Sequence, residues 1–411
     1  MPLLDTYKGV LMMVQKINEM VDSIEDWIIE QRRYLHMHPE GSKYEYETSN
    51  KIVKELTKLG IEVRTGYYNT GVVGIIRGEK EGPIVGLRFD MDALEMEELT
   101  DVPYKSVNKG FMHSCGHDGH TAMGLGVAKA LTKMKEEIHG TIKLIFQPAE
   151  EDAPNGGGAQ HMIKDGVLEN PKVHCMVGMH IWPQVELGVL GSRPGVMMAA
   201  SDPFVIKITG KGVHASLPNL GVDPIVIGSQ IVNNIQTIVS RNIDPFEQAV
   251  ISIGVFKGGT RYNVIPESVR LEGTVRSFDD KVREEVYKRL KKIVEDTASA
   301  LGGKGELDYK FTYPPLINDE KIVKIAKESI IDMFGKEKYL DVPRPAPGGE
   351  DFAYFAKSVP SVFMFLGSGE EGKENHPPHS PYFNFNEKVL AIGTKAFIKT
   401  AINLGRSFYA E

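Results

Sequence analysis

Apolar residues in the first sixty positions recur every three to four residues. Leu3, Leu4, Tyr7, Val10, Leu11, Val14 and Ile17 form one stripe, and Ile24, Trp27, Ile28, Gln31 and Leu35 form a second. A third runs from about Thr48 through Ile52, Val53, Leu56 and Leu59 to Gly60. This spacing predicts three amphipathic helices, the last ended by a glycine free to turn left-handed. Beyond Gly60 the period changes. Short apolar runs at Gly71–Arg77, Ile84–Phe89, Thr141–Phe146 and His174–Met179 alternate with helical patterns at Thr121–Glu137 and Ala159–Asp165. Strands apolar on both faces and separated by helices predict an α/β fold, a mostly parallel sheet flanked by helices.

Near Pro194 the texture shifts. Residues 202–210, DPFVIKITG, alternate apolar and polar, and a helix is expected at Pro224–Arg241. Strands at Ala249–Lys257 and Val269–Phe278, a charged helix at Asp280–Leu301 and a strand at Leu307–Thr312 follow. Two strand–helix–strand units with a half-polar sheet predict an inserted α+β domain over residues 195–312. The flanking segments, 1–194 and 313–411, are then one discontinuous domain, completed by a strand at Ser361–Leu366 and a helix at Glu387–Phe408.

Composition narrows the function classes. The 411 residues are 41% hydrophobic and 25% charged, which is ordinary globular chemistry and excludes extended disorder. A formal net charge of −7, with no Lys/Arg block, argues against a nucleic-acid partner. Two cysteines, Cys115 and Cys175, exclude a disulfide framework and favour a reducing compartment. The first residues carry Asp5 and Lys8 where a signal peptide would be apolar, and no run approaches the 18 apolar residues of a membrane span. The expectation is a soluble, cytoplasmic protein with no membrane partner.

Four segments concentrate groups that a plain core avoids. Leu87-Arg88-Phe89-Asp90-Met91-Asp92, Phe146-Gln147-Pro148-Ala149-Glu150-Glu151 and Gly178-Met179-His180 each end an apolar strand with acids or an imidazole. Open α/β sheets place their sites at such strand ends. The fourth, His113-Ser114-Cys115-Gly116-His117-Asp118-Gly119-His120, packs three histidines, a cysteine and an aspartate into eight residues. Imidazole and thiolate are ligands for zinc and its neighbours, and Gly116 and Gly119 permit the turns that convergence requires. The adjacent acids Glu150 and Glu151 suit a division of labour, one holding metal and the other taking a proton from water. A cysteine hydrolase using Cys115, with His117 or His180 as base, is the competing chemistry.

The segments RFDMDALE, HSCGHDGH, FQPAEE, GMHIWP, GKGVHAS, RYNVIPE, GTVRSF and GGEDFAYF occur in that order across nearly the whole chain. Together they resemble the dinuclear-metal aminoacylase/carboxypeptidase family. The closest resemblance is to the branch of N-acyl-amino-acid amidohydrolases, hippurate hydrolases, auxin-conjugate hydrolases and archaeal thermostable carboxypeptidases. The resemblance implies a metal-binding catalytic domain interrupted by a lid domain that also dimerises. It implies two divalent metal ions per subunit, zinc in the first place, with manganese, cobalt or nickel as alternatives. Their ligands fall on Cys115, His117, Glu151, His180 and a C-terminal histidine, His379 or, two prolines away, His376. Glu150 falls on the general base and Asp92 on an acid that orients a ligand.

In the inserted domain the resemblance gives His214 a catalytic part, polarising the scissile carbonyl from across a dimer. Asn263, Arg276 and the turn at Gly349 fall on groups that hold the substrate carboxylate. The implied substrate is a small N-acyl-amino acid or short peptide, and the implied assembly a homodimer or homotetramer. A metal-stabilised scaffold without catalysis remains a second alternative. His36 and His38 read as structural, His113 and His120 as support for the ligands, and His139, His161 and His174 as surface or packing residues. The Gly156-Gly157-Gly158 run lacks a phosphate-loop ending and reads as shaping the turn after the acid pair.

Overall fold

The computed structural model describes residues 2–408, the first six of them by backbone alone, so the side chains of Leu3, Leu4 and Tyr7 lie outside the described residues. Three helices open the chain, Pro2–Asp22, Glu25–Met37 and Tyr46–Lys58, as the periodicity predicts. The first buries Met13, Ile17 and Val21 and leaves Leu11 half exposed, so its apolar face is rotated from the predicted stripe. The second buries Ile28, Gln31, Arg32, Leu35 and His36. Gly60 is left-handed, as a helix-ending glycine should be.

An eight-stranded sheet forms the larger layer. Its order is Glu62–Tyr67, Gly71–Arg77, His139–Gln147, Lys80–Asp90, Cys175–Glu186, Ser361–Gly369, Leu190–Ser192 and Tyr339–Asp341. The four central strands, from His139–Gln147 to Ser361–Gly369, run parallel. The two strands on one side and the Leu190–Ser192 strand on the other join antiparallel. The edge strand Glu62–Tyr67 escapes the sequence pattern because EVRTGY is half exposed and offers no buried apolar run.

The helix His117–Leu131 begins four residues before the predicted start, because Gly116 takes a left-handed φ of 88° and turns the chain into it. It is buried almost throughout, sandwiched between the sheet and the outer helices. Gly124 and Gly126 make that depth possible: a Cβ on the first would meet the rings of Phe89 and Phe146 at 2.7 Å, and one on the second Ile28 at 2.7 Å. Gly119 serves the same close packing, against Phe385 and Ile181, rather than the turn expected of it. The opposite sheet face is covered by Gly157–Lys164 and Phe352–Ser358.

A second sheet, all antiparallel, is ordered Ala249–Gly258, Ser268–Ser277, Ala200–Thr209 and Lys304–Tyr309. Helices Pro224–Thr237 and Asp280–Ala300 pack on it through Ile227, Ile231, Ile235, Val286, Leu290 and Val294, a core separate from the others. Asp223 and Asp279 accept backbone N–H groups at their first turns. The two chain crossings between the sheets are pinned together. Ser201 N–H donates to Tyr313 O at 3.0 Å, and buried Asp202 accepts from Arg283 Nε at 2.7 Å and from Thr312 N–H at 3.0 Å. Among the described residues, no helix is long and apolar enough to cross a membrane.

Candidate metal centre

The site lies where the central strands end. The strand Lys80–Asp90 delivers Asp90 and, two residues on, Asp92; the strand His139–Gln147 delivers Glu150 and Glu151 through a short turn; and the strand Cys175–Glu186 carries His180. Left-handed Gly116 separates Cys115 from His117 and lets both face the same space. Parallel strands bring these ends together although their residues lie far apart in sequence.

Hydrogen bonds fix the orientation of these side chains. His117 Nδ1 faces Asp92, at 3.0 Å from its backbone O and 3.1 Å from Oδ1, so Nε2 points into the site. That Nε2 is buried with no hydrogen-bond partner among the described residues, an arrangement that an imidazole normally avoids unless it ligates. His180 Nδ1 lies 2.7 Å from Ile181 O, which turns its Nε2 to Cys115 Sγ at 3.4 Å. His379 Nε2 reaches Glu151 Oε1 at 3.1 Å. His376 instead sits against Tyr382 and Glu374, outside the cluster. Among the described residues five triplets of donor atoms converge within 4.8 Å, and two of them, Cys115/His117/His180 and Cys115/Glu151/His379, share Cys115.

The electrostatics ask for a cation. Burial, then the carboxylates of Glu151, Glu150 and Asp90, push the Cys115 thiol well above its ordinary range. Burial, then Glu350, Glu151 and Asp351, do the same to Glu150. His117 is driven the other way: burial works against its charge, but Asp90, Asp92 and Glu151 outweigh it and push it up to about 10. A divalent ion among these donors would ionise the thiol, free the imidazole and neutralise the acids at once. The donor set of thiolate, imidazoles and carboxylate fits such an ion.

Beside the cluster opens a cavity of about 390 Å³, lined by Cys115, Glu150, Glu151, His180, His379 and Arg276, with Trp182, Met198 and Tyr313 as its apolar wall. Arg276 arrives from the second sheet. Its guanidinium is half-buried, donates only to Thr274 Oγ1 and Val275 O, and makes no ion pair among the described residues. Gly349 also lines the cavity. His214 and Asn263 do not. His214 lies in the small ribbon Val213–His214/Val264–Ile265 and Asn263 immediately precedes its second strand, with His214 exposed and bonded to Ser216 Oγ at 2.7 Å. Asn263 Oδ1 is buried without a hydrogen-bond partner among the described residues. The structure therefore separates Asn263 from Arg276, which the sequence reading had grouped.

Around these donors lies a second set of charges, whose pairing the sequence does not reveal. Arg88, 1% exposed, donates to Asp90, Glu350, Asp351 and Gln147 at 2.5 to 2.9 Å. Asp90 in turn holds His120 Nδ1 at 2.5 Å, and His120 Nε2 accepts the Ile181 N–H beside His180. The signal was present: an arginine inside an apolar strand must find buried acids. His36 is structural, its ring between Asp118 and Glu98, while Arg32 bonds Asp118 at 2.8 Å and Asn384 at 2.8 Å. Gly158 shapes the acid-pair turn as expected, since a Cβ there would lie 1.8 Å from Pro148 O.

Comparison with known proteins agrees with this geometry. Residues 86–403 match Peptidase family M20/M25/M40. The chain is 40% identical to an N-acetyl-L-cysteine deacetylase of Bacillus subtilis, over 95% of this chain and 91% of that protein. It is 42% identical to thermostable carboxypeptidase 2 of Saccharolobus solfataricus, over 95% and 98%. A Bacillus subtilis crystal structure, described as a dinuclear metal binding peptidase from the M20 family, superposes with a TM-score of 0.80 at 34% identity, covering 94% of this chain and 99% of that one.

Proposed function

Because the chain belongs to peptidase family M20/M25/M40, a hydrolase family acting on amide and peptide bonds, we propose that it is a two-metal amidohydrolase of N-acyl-L-amino acids or of C-terminal peptide bonds. The observation that carries the reading is the pair of donor triplets sharing Cys115, with Glu150 beside them in the Arg276 cavity. Cys115, His117, Glu151, His180 and His379 would hold two divalent ions, and Asp92 would orient His117. Thiolate and imidazole donors favour zinc, with manganese, cobalt or nickel able to substitute. Bound there, the ions supply positive charge that acidifies a water molecule and polarises the scissile carbonyl.

The protein's own groups do the rest. Glu150 takes one proton from the attacking water as its oxygen bonds to the carbonyl carbon. The same carboxyl then gives that proton to the leaving nitrogen as the C–N bond breaks, yielding a carboxylic acid and a free amine. Arg276 is the partner for the substrate's α-carboxylate, since a half-buried guanidinium without an ion pair favours a bidentate anion. The unit over residues 195–312 would serve as lid and dimerisation domain. Its edge strand Ala249–Gly258 and the residues flanking His214 expose Val250, Phe256, Tyr262 and Val264, of which Tyr262 is 96% exposed. Covering that apolar face with a second copy would carry His214 and Asn263 toward the partner's cavity, His214 to donate to the carbonyl oxygen and Asn263 to help hold the carboxylate.

Metal analysis and kinetics on the acid pair test the reading. Glu150→Gln should keep wild-type metal content and lose at least ~10²-fold in kcat. Glu151→Gln should lose metal. The reverse pattern would exchange the two roles, and full activity in both variants would end the proposal.

A further inference from the structure

The turn that presents Glu150 is strained and deeply buried. Ala149, immediately before the base, has a φ of 55° and no exposed surface, a left-handed conformation that side-chain-bearing residues avoid. Nothing in the Gln147–Glu151 sequence enforces it. The enforcement comes from three contacts on consecutive residues. Ala149 N–H donates to Glu45 Oε1 at 2.9 Å, Tyr313 Oη donates to Glu150 O, and Glu151 N–H donates to Asp92 Oδ2 at 3.0 Å.

Glu45 is the unexpected member. It occupies the N-terminal cap position of helix Tyr46–Lys58, yet its side chain caps nothing. The carboxylate instead turns inward, fully buried, to take Ala149 N–H and Lys43 N–H on Oε1 and Thr70 Oγ1 on Oε2 at 2.7 Å. The same segment reaches the other side of the turn, where Ser42 Oγ donates to Asp92 Oδ2 at 2.6 Å. A buried carboxylate is costly, and the helix it begins does not require one.

We propose that Glu45 is a positioning residue for the reaction: it pins the left-handed turn at Ala149 and so aims the Glu150 carboxylate, without touching substrate. The inference rests on the reading of Glu150 as general base. Misplacing a reacting group by about 1 Å can cost on the order of 10²-fold in rate. Glu45→Ala should therefore lower kcat for N-acetyl- and N-benzoyl-amino acids by about 10- to 100-fold, with KM within about twofold and metal content unchanged. Glu45→Gln keeps an oxygen for Ala149 and Lys43 and offers its amide to Thr70, so it should stay within about threefold of wild type. Adding Ala149→Gly to Glu45→Ala should recover part of the loss, because glycine enters the left-handed region unaided.

A second readout needs neither metal nor turnover. In metal-free protein, amide hydrogen exchange at Ala149 should quicken by about tenfold or more in Glu45→Ala while the Cys175–Glu186 strand stays unchanged. Should Glu45→Ala fail to fold, Glu45→Asp, which withdraws the carboxylate by one methylene, carries the same expectations. Wild-type kcat and exchange in the Ala or Asp variant would overturn the proposal. So would Glu45→Gln behaving as badly as Glu45→Ala, or a loss confined to metal binding. Glu150→Gln assayed in parallel separates the two failures: if it retains kcat, the base assignment is wrong, and the exchange at Ala149 still reports whether Glu45 holds the turn.

Discussion

Replacing Arg88 with methionine removes the guanidinium that pairs with Asp90, Glu350 and Asp351. All four side chains are at most 2% exposed, so none of the acids can turn to solvent. Breaking a single buried pair by deleting one partner costs about 3–5 kcal/mol. Here three carboxylates lose the same partner, but two have a means of relief. Burial already pushes Asp351 up to about 8, with Arg88 opposing, and raises Glu350 in the same balance. Without Arg88 both rise further and are held as neutral acids. A carboxyl whose folded pKa lies above its unfolded value is stabilising at low pH and loses that contribution as pH rises through the folded pKa. The deficit of Arg88→Met should therefore be about 3–5 kcal/mol at pH 8 and smaller at pH 5.5. With about 2 cal/mol/K of unfolding entropy per residue over the larger unit, the pH 8 figure is roughly 5–8 °C in Tm. Calorimetry of wild type and variant at the two pH values, on metal-free protein, measures it. A deficit below about 1 kcal/mol at pH 8, or one that grows on acidification, would refute the assignment of Arg88 as the charge that offsets these buried acids.

Two further outcomes follow from the cavity and from the placement of His214. Arg276→Ala should raise KM strongly with a smaller change in kcat, because the carboxylate it binds is present in ground and transition states alike; steady-state kinetics that showed only a kcat loss would remove it from that role. His214→Ala and Glu150→Gln proteins should each be nearly inactive, and mixing them under subunit exchange should restore up to about half of one site's activity per dimer, since each heterodimer holds one composite site with an intact base and an intact donor. No recovery after exchange verified by mass spectrometry would confine His214 to its own subunit or to no catalytic part.

The fold and the cluster of donor side chains are legible for the same reason: both rest on local density. Gly71–Arg77 is a strand with the predicted bounds because an uninterrupted apolar run leaves few alternatives. HSCGHDGH declares a site because so many ionisable groups in eight residues have no ordinary structural use. The exposed edge strand Glu62–Tyr67 lacked that density. Pairings across the fold were also illegible: Arg88 meets Glu350 over 262 positions of sequence, and nothing near either residue specifies the other. Tyr313 stands beside two prolines and Glu45 among several acids before a helix, contexts that mark neither residue for a role. Only the folded chain shows that both close on the peptide groups around Glu150.

The central claim is hydrolysis of an amide by water at a metal centre built on Cys115, and metal removal tests it most directly. Hydrolysis of N-acetyl-, N-benzoyl- and benzyloxycarbonyl-amino acids and of short peptides would be followed in protein as isolated, stripped by chelator, and reloaded with zinc, manganese, cobalt or nickel. The account predicts that turnover disappears with the metal and returns with at least one of the ions, and that bound metal shields Cys115 from iodoacetamide. Undiminished turnover in verified metal-free protein, abolished by alkylation of Cys115, would contradict it and make the thiol the nucleophile.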